Sequence, residues 1–266
     1  VCASDRIIIR VLKMTNIVPI SKEQHKNTKV ANQRDVSHLA GQHIMPVSAR
    51  EYAQAATSFP LVFVKDPESP RYRSVAMLGL EAGENLYYGE NKWNAIFIPQ
   101  SVSMLPFALG LDPEKENTLT ACIDMDSKYV DQEDGFALFD AEGNETEQLK
   151  GVRESLGRLY ENEVGTDKFI NELVENDLLI ELELQIGFNN NENKKLVGLY
   201  SIDEKKLNEL PEEKVLDFHK RGLYIPIHAM LCSTGQVNRL AQLRNQSDNA
   251  TKVTGIRFQP AEAKKD

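Results

Sequence analysis

Apolar and polar positions alternate most clearly over Leu178–Phe188, where Leu182, Leu184, Ile186 and Phe188 are separated by Glu183, Gln185 and Gly187. Period-two alternation is the mark of a strand with one face buried. The pattern returns over Leu196–Ile202 after the polar run Asn189–Asn193, so the two segments predict a hairpin. Phe59–Lys65 and Tyr72–Leu80 predict a second hairpin around the turn Asp66–Pro70, by their β-branched and aromatic density. Thr118–Asp124 predicts another strand. Phe136–Phe139 and Thr146–Leu149 flank Asp140–Asn144 as the arms of a third hairpin.

Helical spacing takes over elsewhere. Ser48 followed by Glu51 predicts a capping box at the start of a short helix. A short helical run is read from Val102 to Leu109, broken by Pro106. Val152, Leu156, Leu159 and Tyr160 predict a helix over 151–163, and Phe169, Ile170, Leu173 and Val174 a separate one over 167–175. Asp203 is placed to cap a helix running to Leu210. Pro211 opens another that closes at Gly222, and a last helix is expected from Ala229 to Arg244.

Three segments carry no such pattern. Residues 14–45 read as an extended arm laid over the domain, and 247–266 as a mobile tail. The chain opens with Val1, and Ile7–Leu12 is too short and too interrupted for a signal peptide or a membrane helix. Residues 1–13 are therefore read as an upstream extension, with Met14 as the natural start and a non-AUG start at Val1 as the alternative. The remainder predicts an α+β domain over 14–246, with antiparallel β-hairpins packed against helices. The order hairpin, polar link, aromatic-Ile-Pro, helix occurs twice, at about 50–110 and 169–243, which leaves room for two related halves.

Composition narrows the function classes. The formal net charge of -9 argues against phosphate-backbone binding, and no Lys/Arg run stands out. No window reaches the ~18 apolar residues of a membrane span. Cys2, Cys122 and Cys232 form no CxxC pair and no zinc spacing, and their sparse, odd number suits a reducing compartment, so a cytoplasmic location is expected. Motifs for dinucleotide and P-loop binding, for zinc and serine hydrolases and for kinases are absent, and neither a cofactor nor a metal is implied. His38 and His43 stand five apart without an acid between them, and His219 and His228 straddle a helix end. These histidines read as isolated surface or core residues.

Two chemical candidates remain. Cys122–Asp140 (CIDMDSKYVDQEDGFALFD) carries five Asp and one Glu. As a calcium loop it would use Asp124 and Asp126, but Lys128 fills the third ligand slot. Tyr129 replaces the turn glycine, and Gly135 stands where the bidentate Glu belongs. It reads instead as a strand ending at Asp124, a solvated acidic connection and a hairpin arm. Asp124 and Asp126, with His228 as an acid or base, are the weak catalytic candidates. Tyr87, Tyr88, Trp93 and Asn94 make the other group, whose composition suits a sugar or peptide platform and equally a core rim.

The ordered set Phe59–Lys65, Val75–Leu80, Gly83–Leu86, Trp93, Phe97–Pro99 and Pro106–Phe107 resembles the bacterial SapC family. So do Ile123–Asp126, Glu133–Gly135, Leu138–Asp140, Gly143, Phe169, Asp177–Leu179, Gly198–Asp203, Leu207 and Gly222, a pattern running from about Met14 to Asn245. The resemblance implies an association with surface-layer proteins, and with outer-membrane nutrient receptors and flavin-dependent halogenase-like genes as neighbours. The family has no established catalytic residues to carry over. The expected role is a soluble accessory or binding protein of surface-layer or envelope and nutrient-uptake pathways. Its partner, protein or small ligand, is unspecified, and self-association is left open. A cryptic enzyme acting on a small metabolite or peptide, and a structural surface-layer component, are the alternatives.

Overall fold

The computed structural model of the chain describes residues 15–32, 35–66, 69–112, 115, 118–248 and 251–261. The expectations for residues 1–13 and for Met14 as the start lie outside them. In chain order the strands are β1 (Ile17–Pro19), β2 (Lys29–Val30), β3 (Ile44–Pro46), β4 (Leu61–Lys65), β5 (Tyr72–Met77), β6 (Tyr88–Gly89) and β7 (Lys92–Trp93). They continue with β8 (Phe107–Leu111), β9 (Leu119–Asp124), β10 (Phe136–Ala137), β11 (Leu179–Phe188), β12 (Asn193–Ile202) and β13 (Val253–Pro260). The helices are α1 (Lys22–His25), α2 (Tyr52–Ala55), α3 (Gln100–Ser103), α4 (Glu147–Glu175), α5 (Glu204–Asn208), α6 (Glu212–Lys220), α7 (Tyr224–Ser233) and α8 (Val237–Gln246). The strand pairs are antiparallel, and the chain is α+β.

The chain divides into two compact units, one drawn from the chain up to His38 and Gln100–Glu161, the other from Leu39–Pro99 and from Asn162 onward. The first unit holds the antiparallel sheet β1-β9-β8 and the pair β10-β2. Its core gathers Ile20, Val30, Phe107, Ile123, Leu138, Leu149 and Leu156. The segment read as an extended arm over 14–45 contributes strands here: β1 pairs with β9, β2 with β10, and Ile20 and Val30 are buried. Val30 is turned inward by β2, while Ile20 is buried just after β1. The helical run expected over Val102–Leu109 ends at Ser103, and Phe107–Leu111 becomes β8, paired Phe107↔Ile123 through Leu111↔Leu119. The third expected hairpin closes through a single bridge, Phe139↔Glu145, after which the chain enters α4 instead of a strand.

The second unit is organised on a six-stranded antiparallel sheet, β13-β11-β12-β4-β5-β3. Both predicted hairpins lie in it, and they join through Leu199↔Val64 and Tyr200↔Phe63. Leu182, Leu184, Ile186 and Phe188 are buried, as their alternation requires. Between Leu182 and Leu184 the register with β12 shifts, so Val197 and Gly198 together oppose Glu183. Gly198 sits at φ +76 in this bulge, a conformation that costs little only without a Cβ. The predicted tail contains β13, which pairs with β11 from Leu182↔Pro260 to Phe188↔Val253. A bulge at Thr254–Gly255 interrupts the alternation of Val253, Ile256 and Phe258, which hides the strand from a period-two reading. The two aromatic-Ile-Pro segments differ in setting: Phe97–Pro99 precedes α3, whereas Tyr224–Pro226 opens α7.

The two helices expected over 151–175 are one, α4, of 29 residues and about 44 Å. Gly165 and Thr166 suggest a break, yet the Thr166 hydroxyl donates to Asn162 O at 2.7 Å and accepts from Ala49 N at 2.8 Å. That tertiary bond holds the helix through its weakest point. The capping box forms as expected: Glu51 Oε2 accepts from Ser48 N at 3.2 Å and from its hydroxyl at 2.6 Å. Asp203 caps α5, and Gly222 ends the α6 region at φ +71. The last expected helix begins five residues early and is two helices, α7 and α8, joined by a tighter turn at Thr234–Gln236.

Candidate functional site

Asp124 is the last residue of β9, paired across the sheet with Ile17. Its side chain is buried, at 4% exposure. One oxygen accepts from Asn16 N at 3.0 Å and Asp126 N at 3.3 Å, and the other from Thr15 N at 3.4 Å. Asp126 accepts from the Thr15 hydroxyl and the Asn16 amide, each at 3.1 Å. The two carboxylates thus fasten the segment entering β1 onto the end of β9. A buried carboxylate must be compensated by such donors, and these engage both of its oxygens.

Beyond Asp124 the connection is acidic, as expected, but it is not simply solvated. Lys128 Nζ donates to Asp35 at 2.8 and 3.0 Å and to the Ser37 hydroxyl at 2.7 Å. Tyr129 OH donates to the same carboxylate at 2.6 Å. Burial alone would raise Asp35, but the bonds from Lys128, Tyr129 and Ser37 outweigh it and hold its carboxyl well below the usual range. The bond to Asp35 in turn raises Lys128. A serine beside a lysine suggests nucleophilic chemistry, but this lysine is held protonated and cannot take the serine proton. Nearby, burial pushes His38 down to about 4, and both its ring nitrogens are buried without a hydrogen-bond partner among the described residues. It is a neutral imidazole at neutral pH.

The same loop borders a surface hollow of about 660 Å3, lined by Ala31, Asn32 and residues 131–135. Asn32 Nδ2 donates to Asp134 O at 2.7 Å, and Lys29 Nζ to Glu133 O at 3.1 Å. Gly135 lets the loop lie against β2, because a Cβ there would fall 2.6 Å from Val30 O. The side chains of Asp131, Glu133 and Asp134 give the hollow a negative rim suited to a cationic group. No group of three or more metal-ligating side chains occurs among the described residues.

In the second unit the aromatic candidates divide. Tyr87 is core: its hydroxyl donates to Ser58 O at 2.6 Å and its ring meets Phe59 edge-on at 4.7 Å, and burial raises its phenol. Trp93 is half-buried, 6.0 Å from both rings, and donates from Nε1 to Phe97 O at 3.0 Å. Tyr88 is half-buried and Asn94 exposed. Through its bond to Phe97 O, Trp93 supports the following loop, where Ile96 is 95% and Ile98 39% exposed. His228, on α7, is exposed and stacks on Tyr224 at 5.6 Å. Three positions before it, Ile225 is 68% exposed, and Leu216, on α6, is 52% exposed.

One titratable cluster escaped sequence reading. Glu163 and Asp167, one turn apart on α4, share the neighbourhood of Arg73, which donates from Nε to Asp66 at 2.9 Å. Burial, then the Asp167 charge, push Glu163 up to about 7 against the pull of Arg73. Burial raises Asp167 too, opposed by Arg71 and Arg73. The acidic i, i+4 pair was visible in the sequence, but its inward orientation was not. Burial likewise raises the Cys122 thiol, while Cys232 is exposed.

No helix among the described residues is long and apolar enough to cross a membrane. No curated protein and no solved structure matches the chain. The SapC family model matches residues 20–240, most of the sequence and both of its units, and the chain therefore belongs to the SapC family.

Proposed function

We propose that this SapC protein is a non-catalytic binding accessory of surface-layer, envelope or nutrient-uptake pathways, engaging a protein partner through the loop Trp93–Pro99. The observation that carries the reading is the exposure of Ile96, 95%, on a loop that is not loose. Trp93 packs at a tilt against Phe59 and Tyr87 and is bonded to Phe97 O, so the two isoleucines are presented from a fixed base. An exposed aliphatic anchor on an ordered support is what a protein partner can bury at low entropic cost. A catalytic role for Asp124, Asp126 and His228 has weaker support, since the carboxylates fasten backbone and His228 stacks on a tyrosine.

A photo-reactive residue at position 96, introduced in the native bacterium, tests this. A discrete adduct with a surface-layer, envelope or uptake protein, lost in Ile98→Asp, is the expected result. Absence of any adduct above that of an exposed control position would overturn it. Cell fractionation of the same cultures tests the expected cytoplasmic location.

A further inference from the structure

The helix α6 (Glu212–Lys220) carries an outward face whose charge order is its own complement. At 100° per residue, Leu216 lies nearly opposite the buried Phe218, and it is 52% exposed. Glu212 and Glu213 precede it by four and three positions, and His219 and Lys220 follow it by three and four. All four are exposed, and none forms a salt bridge among the described residues. The helix is also firmly held. Arg221, just past its end, donates to Glu172 at 2.8 and 2.9 Å and also pairs with Asp217, so α6 is pinned to α4.

We propose that α6 is the contact by which two copies of this chain pair about a two-fold axis through Leu216. In an antiparallel pairing centred there, each position 216+n meets 216−n of the second copy. Glu212 then faces Lys220 of the second copy and Glu213 faces His219, twice over, around a Leu216–Leu216 contact. Val215, 39% exposed, on the same helix and Ile225, 68% exposed, at the start of α7 are further exposed apolar residues. A parallel pairing would set acid against acid and base against base, so the charge order selects the antiparallel one. One short helix and its flanks give a small interface, so the dimer is a weak, concentration-dependent one. This surface is separate from the Ile96 loop, and neither reading depends on the other.

Sedimentation velocity of the full chain over a concentration series, at low and high salt, tests the pairing. The wild type is expected to show a reversible dimer that weakens with salt. Two charge-reversed variants make the test specific: Glu212→Lys with Glu213→Lys, and His219→Glu with Lys220→Glu. Each alone should be monomeric, since all facing charges become alike, while an equimolar mixture should recover the dimer. Circular dichroism confirms that the exposed substitutions leave the fold intact. A wild type monomeric at every concentration, reversed variants that dimerise as well as wild type, or a mixture that fails to recover would each overturn the proposal.

Discussion

The Asp124 carboxylate accepts the backbone N–H of Asn16 at 3.0 Å, joining the entry of the first strand to the end of the ninth across 108 residues of sequence. A residue that looks like a ligand or a base is the closure of a sheet. Removing it takes the acceptor from the backbone N–H groups of Thr15, Asn16 and Asp126 and unfastens the entry to β1. Asp124→Ala should cost about 2–4 kcal/mol, and Asp124→Asn, which keeps one acceptor, about 1–2 kcal/mol. Urea unfolding measures both. Metal analysis of the purified protein should show no stoichiometric metal to lose on Asp124→Ala, and finding one would reverse this reading of the acidic stretch.

The carboxylate of Glu163 titrates near 7 in the folded chain against 4.5 as its ordinary value. The folded state therefore binds the proton more tightly than the unfolded one. The contribution of this group to stability is fully present below about pH 4.5, falls as pH rises through 7, and is flat beyond. Asp167, raised as well, adds a slope of the same sign. Asp35 acts oppositely and elsewhere: its lowered value makes stability fall only as pH drops below its ordinary 3.8. Glu163→Gln should flatten the decline between pH 5 and 7 and raise stability at pH 8 by about 1–2 kcal/mol, a figure reduced for partial exposure. Unfolding curves of wild type and variant across this range would show it. A variant that is less stable at pH 8, or whose profile runs parallel to wild type, would contradict it.

Gly198 separates two causes of intolerance. A Cβ built there meets nothing within 4 Å, yet the backbone is at φ +76. Gly198→Ala should therefore cost about 1–2 kcal/mol through backbone conformation alone, and Gly198→Asn less, because Asn visits the left-handed region more readily. Thermal unfolding with both variants distinguishes this from a packing defect, in which the larger Asn would be the worse of the two.

Local chemistry made much of this fold legible. The alternation at Leu182–Phe188 could only be half-buried strand, and the Ser48–Glu51 box and the Asp203 cap are bonds within a few residues of chain. The ordered residues also pointed to the family. What stayed hidden depends on partners distant in sequence. Thr166 keeps α4 whole by a bond to Ala49, 117 positions away. The bulge at Thr254–Gly255 spoils the period of β13, so only its pairing with β11 shows that it is a strand. The candidate sites follow the same rule. Asp35 and Lys128 stand 93 residues apart, and nothing in either neighbourhood marks the ion pair that holds the lysine protonated. The α6 charge order, by contrast, was written within nine residues, but its outward direction was settled by the burial of Phe218. The sequence by itself determined element types, caps and family, because those rest on contacts within one turn or one hairpin. The tertiary structure decided which carboxylates are fastened, shared or free, because burial and long-range partners set the energy of a charge.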